Sequence, residues 1–128
     1  MGQQQILLIV LGVIIVGIAI VVGLNLFSAG SVEANLNAVV SDNLNIATLA
    51  MKFYRIPPPM GGGGTSFVGF TIPTGYASTA NGTYTVVATT TSAVITGKGN
   101  VQDSNGKVYQ VVTTVTATGI TTATPTKV

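Results

Sequence analysis

From Ile6 to Phe27 the chain is almost unbroken aliphatic sequence, carries no charged side chain, and begins five residues from the N-terminus. Only Gly12, Gly17, Ala19, Gly23 and Asn25 interrupt it. As a helix it would be about 33 Å long at 1.5 Å per residue, enough to cross the hydrocarbon core of a bilayer. It is apolar all round, so it needs apolar surroundings on every side. Whatever follows must leave this segment in lipid, or bury it among other chains.

The helical pattern continues past the apolar run. At 100° per residue, Val32, Leu36, Val39, Val40, Ile46, Ala47, Ala50, Met51, Phe53 and Tyr54 share one broad face. Asn37, Ser41, Asn45, Thr48, Lys52 and Arg55 occupy the other, and Asn43 intrudes on the apolar stripe. Lys52 and Arg55 fall in the last turn, where cations favour the negative end of the helix dipole. Ile56 precedes Pro57 and is pushed out of helical geometry, so the helix is expected to end near Arg55. Ser28-Ala29-Gly30-Ser31 is the stretch least committed to helix, yet one continuous rod is expected across it.

A helix of about 55 residues would be about 80 Å long, whereas a compact head of about 70 residues has a radius of gyration of about 11 Å. The head cannot cover the rod. Residues 1–56 are therefore expected as the N-terminal helix, with 6–27 as membrane span or assembly core and 28–56 as the amphipathic part. Residues 57–65, rich in Pro and Gly, are expected as a flexible connector. The glycine run is not a phosphate cradle, because no Gly-Lys-Ser/Thr sequence closes it ahead of a helix.

Residues 66–128 are expected as a small antiparallel all-β head, giving an α+β chain overall. Strands are predicted at Phe67–Ile72, Thr83–Thr91, Ala93–Thr96 (extending toward Gln102) and Lys107–Thr118, each rich in β-branched or aromatic residues. Val94, Val108, Gln110 and Val112 are assigned to the buried face, opposite a Thr-rich solvent face. Asp103-Ser104-Asn105-Gly106 reads as the turn joining the last two strands. It also resembles the start of a calcium loop, but the position that needs glutamate is Thr114.

Chemistry has little to work with here. Histidine and cysteine are absent, which removes the usual bases, thiol nucleophiles and soft metal ligands. The three acids are Glu33, Asp42 and Asp103. Glu33 and Asp42 lie about 180° apart on the helix, so they form no acid–base pair. No enzyme activity, cofactor or metal is expected. The five basic residues are too scattered for nucleic-acid binding, which needs a clustered basic face. A cleaved secretory signal is not expected either, because no Lys or Arg precedes the apolar run and the run is too long. Every basic residue lies C-terminal to the run, and charge alone leaves the orientation open.

The aliphatic segment from Ile6 to Phe27, its amphipathic continuation from Val32 to Tyr54 and the Thr/Gly-rich head together resemble the type IV pilin superfamily, including archaeal adhesion pilins and pseudopilins. The resemblance is architectural over the whole chain and specific only in the N-terminal segment. It implies a subunit that waits in the cytoplasmic membrane with its head outside. Assembly machinery would then draw it into an extracellular homopolymeric filament for adhesion or surface interaction. Ile6, Leu8, Gly12, Ile15, Gly17, Val21, Gly23 and Phe27 would then pack the filament core, and the three glycines would permit close helix contacts.

The family's bacterial members carry glutamate at the fifth mature position. With Met1 as first residue the match here is Gln5, and Gln3, Gln4 and Gln5 are expected to make neutral hydrogen bonds instead. Gly2-Gln3 resembles the archaeal-type processing junction, and cleavage there would remove Met1.

Two other classes fit the same residues. One is a single-pass membrane-anchored surface protein, since the bilayer alone could bury Ile6 to Phe27. The other is a minor pilin or pseudopilin of a secretion or uptake system. On the head, Asn81-Gly82-Thr83 is the one Asn-X-Ser/Thr sequence, so Asn81 is a candidate N-glycosylation site. Thr89, Thr90, Thr91, Thr113, Thr116, Thr121, Thr122, Thr124 and Thr126 are candidate surface hydroxyls for O-linked sugars.

Overall fold

The computed structural model describes residues 2–128; Met1, and any processing at it, lies outside the described residues. One uninterrupted helix, α1, spans Gly2–Arg55. It contains no proline, and Gly30 with its flanking serines is carried through in helical geometry. At 54 residues it is about 81 Å long.

Five strands follow: β1 Gly82–Ala88, β2 Ser92–Gly99, β3 Tyr109–Thr116, β4 Gly119–Thr122 and β5 Thr126–Lys127. They form one antiparallel sheet in the order β1-β2-β3-β4, with β5 pairing the start of β3 beside β4. The chain is thus α+β, a long apolar helix followed by a small antiparallel sheet.

One face of the sheet lies on the second half of α1. Val32, Asn35, Val39, Asn43, Ile46, Ala47 and Ala50 are buried, stepping by three and four residues as a single seam should. Leu36, Val40, Met51, Phe53 and Tyr54 flank that seam half-buried, as the amphipathic pattern requires. Opposite them lie Tyr84 from β1, Ala93 and Ile95 from β2, and Val111 and Val115 from β3.

The strand expected at Phe67–Ile72 is instead a turn, in which the Phe70 N–H donates to the Phe67 carbonyl at 3.0 Å. A strand would send residues three apart to opposite faces. The turn, with Gly69 at φ +91°, brings both rings onto the helix. Phe67 stacks on Tyr54 with centroids 4.6 Å apart, and Phe70 tilts against Phe53 at 5.6 Å.

The strand phase also differs from expectation. Ala93, Ile95, Val111, Thr113 and Val115 face the helix, while Val94, Gln110 and Val112 lie half-buried on the outer face. Only Val108, just ahead of β3, is buried as expected. Side chains alternate with period two, so a one-residue slip exchanges the faces, and β2 and β3 both offered apolar residues in either phase. The C-terminal strands β4 and β5 were not expected from their Thr-rich sequence; both satisfy the open edge of β3.

The glycine run assigned as a connector is hydrogen-bonded to the helix end. The N–H groups of Gly63, Thr65 and Gly64 donate to the carbonyls of Phe53, Tyr54 and Ile56 at 2.9, 2.9 and 3.0 Å. The Phe53 and Tyr54 carbonyls are among those that a terminating helix leaves without partners. A Cβ at Gly63 would lie 1.8 Å from the Ser66 carbonyl oxygen, so only glycine fits.

Candidate assembly surface

Two regions stand out: the rod that the head leaves bare, and the polar seam that fixes the head to it. Every large apolar side chain from Ile6 to Phe27 is 50–76% exposed, and α1 is long and apolar enough there to cross a membrane. Ile6, Leu8, Ile15, Val21 and Phe27 all project from this bare rod. Gly12, Gly17 and Gly23 open onto free space, with nothing within 4 Å of where a Cβ would sit. Gln3, Gln4 and Gln5 form its exposed first turn. The sequence-assigned core residues are therefore together on one unclothed cylinder, and all of them are exposed.

The seam is built from amides that sequence reasoning largely missed. Asn43 is fully buried, and its Nδ2 donates to the Val111 carbonyl at 3.0 Å and to Thr113 Oγ1 at 3.2 Å. Its Oδ1 lies against Gly97 and has no hydrogen-bond partner. Asn35 donates to the Asn81 carbonyl at 2.7 Å and to Asn100 Oδ1 at 3.3 Å. The sheet can approach these amides because β2 presents Gly97 and Gly99, where a Cβ would stand 2.4 and 2.2 Å from Asn43 Oδ1 and Asn35 Oδ1. Gly-Lys-Gly with Asn at spacing eight on the helix was the available signal, but nothing local shows which glycine meets which amide. Thr113, assigned as a surface hydroxyl, is instead buried here as the acceptor for Asn43.

Beside them, Asp42 Oδ2 accepts from Tyr84 Oη at 2.5 Å, Asn81 Nδ2 at 3.1 Å and Thr79 Oγ1 at 3.2 Å. Burial pushes the Asp42 carboxyl up, but the bonds from Tyr84, Asn81 and Thr79 outweigh it and hold the pKa below its ordinary value. Burial and the same bond push the Tyr84 hydroxyl far above its ordinary range. Asn81 is half-buried, and the nitrogen that an N-linked sugar would occupy is committed to Asp42. Thr89, Thr90, Thr91, Thr121, Thr122, Thr124 and Thr126 are exposed, and Thr116 is half-buried.

The Asp103 turn forms as expected, though in a longer connection than a tight hairpin. Its carboxylate accepts from the Asn105 and Lys107 N–H groups at 2.8 and 3.0 Å and pairs with Lys127 at 2.9 Å. Lys127 first, then those backbone donors, holds the Asp103 pKa down at about 2. Two of the three carboxylates are thus engaged inside the chain. Glu33 is exposed and, among the described residues, has no ion-pair partner.

Comparison with protein-family models, with curated proteins and with solved structures found no match to this chain.

Proposed function

We propose that this chain is the structural subunit of an extracellular filament, held together by bundling of the Ile6–Phe27 segments and presenting the β-sheet heads outward for adhesion or surface contact. The observation that supports it most is the bare rod: 22 consecutive exposed residues, on a helix made continuous with a head too small to cover them. Fully burying such side chains is worth about 1.5–3 kcal/mol each, so the rod carries a driving force of the order of tens of kcal/mol toward lipid or toward other rods. Before assembly the bilayer supplies that burial, with the N-terminus inside and the head outside. Gly12, Gly17 and Gly23 favour the second destination, because bare glycines let neighbouring helices approach closely.

The polar seam supports the same function from the other side. Asn35, Asp42 and Asn43 bind the head to one register of the helix, so that a head carried on a packed rod keeps a fixed orientation.

Replacing Ile15 with Glu tests the proposal. In a bundle the change buries an unpaired carboxylate and costs several kcal/mol per subunit. Electron microscopy of sheared surface material is expected to show thin filaments from the parent chain and none from the variant. Normal filament yield from Ile15→Glu would overturn the proposal, and a membrane-retained monomer from the parent chain would favour a single-pass anchor.

A further inference from the structure

The head has two ends, and they are unlike in shape and in charge. At the lower end, where the bare rod leaves the head, a crevice of about 670 Å³ opens between α1 and the Asp103 turn. Its apolar wall is Ala29, Val32 and Leu36, and its polar wall includes Glu33, Ser104, Tyr109 and the Asp103–Lys127 ion pair. At the upper end the chain turns back over Pro57, Pro58, Pro59 and Met60, all exposed, in a short 3-10 turn. This tip is stiffened by three prolines and by the glycine cap beneath it. Met60 is 77% exposed at its summit, and Lys52 and Arg55 stand beside it without carboxylate partners among the described residues.

We infer that the proline tip of one copy seats in the crevice at the base of the next copy's head, with Arg55 of the lower copy facing Glu33 of the upper. The inference rests on the filament assembly proposed above and names the contact that sets its register. Charge supports it. Among the described residues Glu33 is the one acidic side chain with no hydrogen-bond or ion-pair partner, and the crevice's other charges, Asp103 and Lys127, neutralise each other. Lys52 and Arg55 at the tip have no carboxylate partner among the described residues. Surface chemistry supports it too, since the summit methionine would meet the Val32 and Leu36 wall.

Geometry makes the contact propagate. Glu33 and Arg55 are 22 residues apart on one helix, which is about 33 Å of rise and about 40° of rotation. Two parallel copies displaced by that rise bring the tip of one level with the crevice of the other. Because Glu33 and Arg55 project within about 40° of each other, the copies must also turn relative to one another for the two side chains to face. The displacement also lays the bare rod of the upper copy, residues 6–27, beside residues 28–49 of the lower, so the bundling of bare rods with one another comes from other neighbours in the filament at smaller axial displacements. Tip and crevice are different surfaces, so the contact is head-to-tail and leaves one free tip and one free crevice after every addition. Such an interface grows without closing. An exposed ion pair adds little affinity, so its role here is to select the register.

The chain has no cysteine, which permits a direct test. Ser104→Cys and Met60→Cys are introduced together, both at exposed positions. The two sites lie at opposite ends of one head, far beyond the roughly 7 Å Cα separation that a disulfide can span, so any bond joins two copies. Oxidised filaments are expected to run as a ladder of dimers, trimers and higher species on a non-reducing gel. The pair Thr85→Cys with Met60→Cys, with Thr85 on the outer sheet face, is expected to give no ladder. Glu33→Lys or Arg55→Glu added to the Ser104/Met60 pair should each lower ladder yield several-fold, and the two together should restore it. Filaments of normal yield with no ladder would overturn the docking and leave the filament proposal standing. Absence of filaments from the parent chain would overturn both.

Discussion

Adding one methyl group at Gly97 should weaken the packing of the head on its helix. The Cβ of Gly97→Ala would stand 2.4 Å from Asn43 Oδ1 and 2.9 Å from Val39 Cγ1, so the amide must retreat by about 1 Å to reach ordinary contact. It has nowhere to go. The same side chain is tied through Nδ2 to the Val111 carbonyl and Thr113 Oγ1, and it is fully buried. Overpacking of this kind costs about 1–3 kcal/mol, and stranding a buried polar group adds about 1–3 more. The sum, about 2–6 kcal/mol, is a large fraction of the roughly 5–15 kcal/mol that holds a domain folded.

Urea unfolding in a non-ionic micelle that covers the rod is the assay, followed by tyrosine fluorescence and near-ultraviolet circular dichroism. The stacked Tyr54 and Phe67 rings report the junction. The cycle with Asn43→Ala isolates the mechanism. Asn43→Ala alone is expected to cost about 1–3 kcal/mol from lost buried hydrogen bonds. In that background the main obstacle to Gly97→Ala is gone and its cost should fall by about 0.5–3 kcal/mol, the usual coupling between touching residues. A cost for Gly97→Ala below about 0.5 kcal/mol, or strict additivity of the two changes, would refute the close-approach account.

The Asp42 cluster makes the junction acid-sensitive. Its folded pKa lies below the ordinary 3.8, so the stabilisation is present above that value and is lost as pH falls through the depressed one. Urea midpoints measured downward from pH 5 should fall in the parent chain and fall less steeply in Tyr84→Phe, which removes the shortest of the three donors to Asp42. At the tip, Gly63→Ala would force a carbon within 1.8 Å of the Ser66 carbonyl oxygen and break the cap on Phe53. It is expected to destabilise the head by at least about 2 kcal/mol in the same urea assay. A change below about 0.5 kcal/mol would show that the cap is dispensable.

What the sequence by itself determined was whatever has a one-dimensional signature. The charge-free run from Ile6 to Phe27 dictated a segment that no small head could cover, because apolarity on all sides needs no partner to be visible. The 3.6-residue stripe from Val32 to Tyr54 dictated which face of α1 the sheet would take, and Pro57 dictated where the helix stops. Tertiary structure decided the rest. Phe67 and Phe70 form a turn rather than a strand because both rings find the helix, a gain that local propensity does not contain. The inward phase of β2 and β3 went to Ile95 and Thr113 because Asn43 needs an acceptor and Gly97 leaves it room. In the sequence Asn35 and Asn100 look like ordinary helix and loop polar residues, and Asn81 like a glycosylation acceptor. They become a junction only when segments 46 and 65 positions apart are brought together, and that proximity is a property of the fold.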